Sequence, residues 1–172
     1  MSGFMKSISR TPRSKNRRRS RGQATVEFAL VIIFLMALVL SLIELVMLIH
    51  TYNVLADSAK EGLRYAIVHG NQNSQASGPT CPCADIDGPA APPGTVPGYG
   101  SGYGVVKTFA QYSLHDVSGL TVTVSYPDTT NAPANKAPNR VQVKVQYPYQ
   151  AFFGLGWPTI TVNAAAEGRI AN

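Results

Sequence analysis

A long apolar segment near the N-terminal end dominates the hydrophobic pattern of the chain. In residues 28–49, a run of 22, only Ser41 and Glu44 are strongly polar. As a helix the run would extend about 33 Å, and the hydrocarbon core of a bilayer is roughly 30 Å thick. The apolar region of a secretory signal is shorter, about 7–15 residues. The run therefore predicts a membrane-spanning helix.

Helical periodicity continues beyond this apolar run. Apolar residues recur at helical spacing, at Leu55, Ala59, Leu63, Ala66 and Ile67. Charged residues fall off this stripe, at Asp57, Lys60, Glu61 and Arg64. We predict one helix from about residue 24 to residue 69, membrane-embedded over residues 23–50 and amphipathic over residues 51–69. A membrane anchor joined to a separate helix by a bend near residues 50–53 is the alternative.

The C-terminal part has the pattern of a small α+β domain over residues 105–172, preceded by a Gly- and Pro-rich surface loop over residues 70–104. A short amphipathic helix is predicted within residues 103–114, with an apolar set of Val105, Val106, Phe109, Ala110 and Leu114. Alternating apolar residues predict three strands, through Leu120, Val122, Val124 and Tyr126, then Val141, Val143, Val145 and Tyr147, then Ile160, Val162, Ala164 and Ala166. We expect an antiparallel sheet packed on the outer part of the long helix.

Two prolines and one apolar connection refine this prediction. Pro148 and Pro158 are expected to bound the second and third strands, because proline cannot donate a ladder hydrogen bond. The third strand is predicted over residues 159–166. The connection over residues 151–157 reads AFFGLGW. We expect it in the core, with a membrane-surface contact and a subunit interface as the alternatives.

Charge is concentrated at the N-terminal end. Residues 1–22 contain eight of the fifteen Lys and Arg residues and no acidic residue, whereas the remainder has seven basic and nine acidic residues, 7 − 9 = −2. Positive charge beside a membrane span keeps that end in the cytoplasm. We therefore interpret residues 1–22 as a basic cytoplasmic leader, place the C-terminal domain outside the membrane, and predict no nucleic-acid partner.

The junction between leader and apolar run resembles the processing site of type IV prepilins. It reads Gly22-Gln23-Ala24-Thr25-Val26-Glu27-Phe28. The resemblance implies that a prepilin peptidase cuts after Gly22, so that Gln23 becomes residue one and Glu27 residue five. In the first turn Glu27 would be stabilised by the helix dipole, and it would share a helix face with the amine of Gln23. In a bundle Glu27 could reach a neighbouring subunit instead; an interfacial Glu without a special role is the alternative.

Glu44 is a second acidic residue within the apolar run. An ionisable group inside a membrane span is costly and is a functional hypothesis by default. We treat it as a candidate intramembrane contact. A carboxyl that snorkels to the outer interface, or that stays protonated, explains it equally well.

A narrower resemblance links the chain to the TadE-like family, minor pseudopilins of the tight-adherence (Tad, or Flp pilus) apparatus. Residues 22–31 read GQATVEFALV, Ile43-Glu44 follows, and residues 52–66 read YNVLADSAKEGLRYA. Lys60 stands where Arg is more usual in the family, and Leu63 where Ala is usual. The resemblance covers well under half of the chain.

This resemblance implies a bacterial inner-membrane protein with a single span that takes part in pilus assembly and cell adhesion, or in a related type II or type IV secretion system. Its partners would be a prepilin peptidase, other pilin or pseudopilin subunits, assembly-platform proteins and membrane lipid. Whether the chain enters the filament or remains at the platform stays open.

Enzymatic chemistry is not indicated. The pair Cys81 and Cys83 is a candidate disulfide in a loop, and the histidines, at positions 50, 69 and 115, lack metal-ligand spacing. No catalytic, cofactor-binding or metal-binding residue is predicted. Two rivals to the pseudopilin interpretation remain: an unprocessed single-pass anchor carrying an extracytoplasmic binding domain, and a periplasmic thiol-redox protein that uses the two cysteines.

Overall fold

A computed structural model describes residues 19–78, 85–128, 133–153 and 158–171, with the side chains given from residue 22 onward. The elements follow in the order α1 (Arg19–Val68), α2 (Val105–Ala110), β1 (Thr121–Ser125), β2 (Arg140–Tyr149) and β3 (Ile160–Arg169). The long helix followed by a small antiparallel sheet confirms the predicted α+β class. The chain divides into two units, Met1–Leu42 and Ile43–Asn172.

The first unit contributes the N-terminal part of α1. The helix begins at Arg19, about five residues before the predicted start, so Glu27 lies beyond the first turn of the helix and not within it as predicted. Side chains from residue 22 to residue 39 are all exposed, although most of them are apolar. Ser41 satisfies its hydroxyl within the helix by donating to the carbonyl oxygen of Ala37, at 2.8 Å.

The second unit is built on the C-terminal part of α1, which is amphipathic as predicted. Leu55 and Ala59 are fully buried, Ala66 is nearly so, and Leu63 and Ile67 pack against the same core. The charged residues lie on the other faces, where Lys60 pairs with Asp57 at 3.0 Å and Arg64 with Glu61 at 3.5 Å. Helix α1 is continuous through residues 50–53, which agrees with the predicted single helix and not with the alternative of a separate second helix.

The three strands form one antiparallel sheet in the order β1-β2-β3. Val124 pairs with Val143, and Val143 also pairs with Ala166 of β3. The inward valines of β2 are fully buried, at positions 141, 143 and 145. They share the core with Leu55 and Ala59 of α1 and with Val106 of α2. The sheet therefore buries one face against the helices.

The strand ends differ from the prediction at Pro148 and at the C-terminal end of β3. Pro148 lies inside β2, paired with Thr161, and does not end the strand. The β1 partner of β2 reaches only to the pair Thr121–Gln146, so β2 is a sheet edge at Pro148, where proline is tolerated. Strand β3 begins at Ile160 and continues to Arg169, three residues beyond the predicted end.

Two aromatic residues are more exposed than predicted. Phe109 of α2 was expected in the core but is 41% exposed, because α2 is only six residues long and already buries Val106 and Ala110 against α1. Phe152, expected in the core within the apolar connection, is 78% exposed. The rest of that connection, residues 154–157, lies outside the described residues.

The Gly- and Pro-rich segment is more closely packed than a surface loop. Ile86 and Ala91 are buried, and Ile86 belongs to the core that contains Val106 and Val143. The Tyr99 N–H donates to the Tyr65 hydroxyl on α1, at 2.7 Å. The described part of this segment is therefore packed into the core of the second unit and bonded to α1.

Candidate functional site

The predicted processing junction lies within helix α1 in the first unit. Gln23 Nε2 donates to Glu27 Oε1 at 3.0 Å, which places the two side chains on one helix face. Both side chains are exposed, as is Phe28 at 65%. The carboxylate of Glu27 is therefore available to a group outside this unit.

None of the described residues packs against the position that a side chain at Gly22 would occupy. A Cβ added at Gly22 would meet no atom within 4 Å. Glycine in a helix costs roughly 0.5–1 kcal/mol relative to alanine, so the fold itself gains nothing from it. The first turn of a helix has unpaired N–H groups and unwinds readily, which would let a protease take up the chain around Gly22 in an extended form.

The apolar part of α1 in the first unit presents large hydrophobic side chains on all sides. Their exposure reaches 71% at Phe34 and 65% at Ile33. Among the described residues, Gly22–Val68 is the one helix long and apolar enough to cross a membrane, and its most apolar window is not buried at all. A helix that is apolar on every side is stable in lipid or against other apolar helices.

Glu44 has partners in the second unit. Tyr149, the last residue of β2, donates its hydroxyl to Glu44 Oε1 at 2.6 Å. The backbone N–H of Phe152 lies 3.1 Å from each carboxylate oxygen of Glu44. Hydrogen bonds to a carboxylate are short and about twice as strong as neutral ones. Burial raises the pKa of Tyr149 to about 12, and the hydrogen bond to Glu44 and its negative charge add to the rise.

The Glu44 contact could not have been found from sequence spacing. Tyr149 is 105 residues from Glu44 along the chain, and Phe152 contributes only a backbone group. The one sequence signal was the acidic residue itself, isolated in an apolar run. Its position predicted a contact but not the partner.

A buried polar cluster lies elsewhere in the second unit, around Asp85. Asp85 and Ser77 are almost fully buried, and Asp85 Oδ2 has no hydrogen-bond partner among the residues that the structure describes. Asn135 Nδ2 donates to the Ser77 carbonyl oxygen at 3.1 Å and so connects two loops. Burial raises the pKa of Asp85, although a hydrogen bond from its own backbone N–H opposes the rise.

The remaining candidates bring no further chemistry together. Cys81 and Cys83 lie outside the described residues. His50 and His115 are exposed, whereas His69 stacks on Tyr65 with ring centroids 4.0 Å apart. Among the described residues no group of three or more His, Cys, Asp or Glu is placed to hold a metal ion.

Comparison with known proteins supports the resemblance seen in the sequence. Residues 22–64 match the family model described as TadE-like protein. The match begins at the glycine of the predicted processing junction and ends in the amphipathic part of α1. No curated protein and no solved structure matches the chain significantly.

Proposed function

We propose that this chain is a minor pseudopilin-like subunit of a Tad (Flp-type) pilus or a related secretion system, cut by a prepilin peptidase after Gly22. The TadE-like match over residues 22–64 indicates a Tad pilus-associated protein. The observation that carries the finer proposal is the coincidence, at the start of this match, of a glycine without a packing role, an exposed glutamate and an uncovered apolar helix.

Five segments divide the work in this proposal. Residues 1–22 form the cytoplasmic leader and residues 23–50 cross the bacterial inner membrane. Residues 51–69 extend the helix outside the membrane, residues 70–104 form a Gly- and Pro-rich segment, and residues 105–172 complete the extracytoplasmic domain. The role is structural, without catalysis or a cofactor.

Assembly would use Glu27. After cleavage the new amine lies on Gln23, and a carboxylate near the start of a helix is favoured by the helix dipole. The exposed Glu27 side chain can pair with this amine or with the amine of a neighbouring pilin or pseudopilin subunit. Pairing relieves the cost of an acidic group at the lipid boundary, so lateral packing of apolar helices and charge neutralisation act together.

The test is N-terminal sequencing of the protein purified from bacterial membranes that contain the peptidase. We expect the wild-type chain to start at Gln23 and the Gly22→Ala variant to retain its leader, because a Cβ would obstruct close approach of the peptidase. Ser20→Ala is the matched control in the same leader and is expected to be cut normally.

A wild-type protein that retains Met1 in membranes with active peptidase would contradict the proposal. It would favour the rival interpretation, a single-pass anchor that is never processed. Normal processing combined with a strict requirement for Cys81 and Cys83 would instead favour the thiol-redox rival.

A further inference from the structure

The β2–β3 connection of the second unit is bound to the apolar part of α1. The Phe152 N–H and the Tyr149 hydroxyl both donate to the carboxylate of Glu44. Glu44 is followed on the helix by exposed apolar side chains, at positions 45, 46 and 47. The first polar residue after this stretch is His50, about 9 Å further along the helix at ~1.5 Å per residue. The connection therefore lies beside the apolar stretch of the helix.

Among the described residues of this connection, Phe152 has an uncovered apolar side chain. Phe152 is 78% exposed, and its ring meets that of Phe153 edge to face with centroids 5.2 Å apart. Ile160, where β3 begins, is 44% exposed. Tyr149 is buried and uses its hydroxyl on Glu44, so it fixes the backbone and leaves Phe152 to face outward.

We propose that residues 149–153 form a second membrane contact, with Phe152 inserted among the lipids of the outer leaflet beside α1. The occupant is bilayer lipid because Phe152 is largely exposed while its backbone N–H is bonded to Glu44, a residue of the candidate membrane span. This inference rests on the membrane anchoring in the proposed function.

Glu44 acts as a positioning residue in this arrangement. A carboxylate at this depth is costly unless it is paired. The Tyr149 hydroxyl, at 2.6 Å, and the Phe152 N–H, at 3.1 Å, supply hydrogen bonds where water is scarce. The same bonds hold the end of the sheet at the lipid boundary. They thereby fix the position of the sheet along α1 and its rotation around this helix.

A fluorescent reporter of lipid contact tests the proposal. The only tryptophan of the chain is Trp157, so Trp157→Phe provides a dark background. The full chain carrying Phe152→Trp is reconstituted in phosphatidylcholine–phosphatidylglycerol vesicles with or without brominated acyl chains. We expect blue-shifted emission and strong quenching by the brominated lipids.

Two further reporters serve as controls in the same background. Tyr112→Trp replaces an aromatic residue of the second unit whose side chain is 81% exposed. Its tryptophan is expected to emit as in water and to remain unquenched. Phe34→Trp lies in the apolar helix and is expected to be quenched. Quenching of Phe34→Trp without quenching of Phe152→Trp would overturn the second contact and leave the membrane anchor standing.

Two other outcomes of the quenching experiment would also contradict the proposal. Blue-shifted but unquenched Phe152→Trp emission would mean that protein, such as a second copy of the chain, covers the site, and it would overturn the lipid contact. Absence of quenching at Phe34→Trp would remove the anchor itself, and the proposed function with it.

The role of Glu44 is tested with two substitutions in the Phe152→Trp reporter. Glu44→Leu removes both acceptor oxygens, and we expect quenching of the reporter to fall. Glu44→Gln retains one acceptor oxygen and is expected to restore most of the quenching. Quenching in both variants as strong as in the reporter that retains Glu44 would show that Glu44 does not position the connection.

Discussion

At the scale of single residues, burial and local chemistry explain positions that composition leaves unexplained. Asp85 is an acidic residue that is 2% exposed, and one of its carboxylate oxygens has no hydrogen-bond partner in the described part of the chain. An unpaired buried acceptor costs about 1–3 kcal/mol, and more when it is charged. Asp85 is therefore a point at which the fold gives up stability at neutral pH.

This cost makes the effect of Asp85→Asn depend on pH. Burial raises the pKa of Asp85 in the folded chain above its ordinary value of 3.8, so the folded state holds the proton more tightly than the unfolded state. As pH rises from the unfolded pKa through the folded pKa, the wild type loses stability and the variant does not. We expect the unfolding free energy of Asp85→Asn, relative to wild type, to increase between about pH 3.5 and pH 7.

Chemical unfolding of the full chain in detergent micelles measures this difference. Asp87→Asn removes an exposed neighbouring carboxyl and serves as the matched control. A difference for Asp85→Asn that stays constant with pH would show that its carboxyl is not strained in the fold.

At the scale of elements, a glycine sets how closely the helices and the sheet approach. Gly62 is buried on α1, and a Cβ added there would overlap Cγ2 of Val106 on α2. The same Cβ would lie 3.4 Å from Val143 of β2. Val106 is fully buried, and its β-branched side chain has little rotational freedom to move aside. The glycine in the Lys60-Glu61-Gly62 sequence is therefore explained by packing.

Gly62→Ala should consequently destabilise the second unit. Overpacking costs about 1–3 kcal/mol, and the better helix propensity of alanine returns up to about 1 kcal/mol, so we expect a net loss of about 1 kcal/mol. Gly22→Ala is the matched control, because the added Cβ meets nothing within 4 Å. Urea unfolding in micelles measures both variants, and equal stabilities would contradict the packing role of Gly62.

At the scale of the whole molecule, the chain combines a unit that has little core of its own with a unit that has one. The side chains of the first unit are exposed from residue 22 to residue 39, whereas Leu55 and the valines of β2 are completely buried in the second. The stability of the second unit and association through the apolar helix should therefore respond to different substitutions.

Leu55→Ala and Phe34→Ala separate these two properties. Loss of the fully buried Leu55 side chain should lower the unfolding free energy of the second unit by about 2–5 kcal/mol. Phe34, 71% exposed, should change it by less than about 0.5 kcal/mol. Phe34→Ala should instead weaken association with other apolar helices, measured by co-purification with pilus subunits. A large fall in the unfolding free energy of the second unit in Phe34→Ala would show that the two properties are not independent.

Helices and strands with a clear pattern of apolar and polar residues could be predicted from the sequence. The apolar run predicted the long helix, and two-residue alternation predicted three strands through Val122, Val143 and Val162. Both predictions were possible because the side-chain period of a helix or strand can be seen in residues close together in the sequence. The boundary at Pro148 was wrong because tolerance of proline depends on where the neighbouring strand ends, which the local sequence does not contain.

Contacts between residues far apart in the chain became known from the folded structure. It gave Glu44 its partners Tyr149 and Phe152, left Phe109 exposed and placed Gly62 against Val106. These contacts join residues far apart in the chain, and they depend on how the sheet and the helix are brought together. A local pattern records that a side chain is apolar or charged, but the path of the folded chain determines what surrounds it.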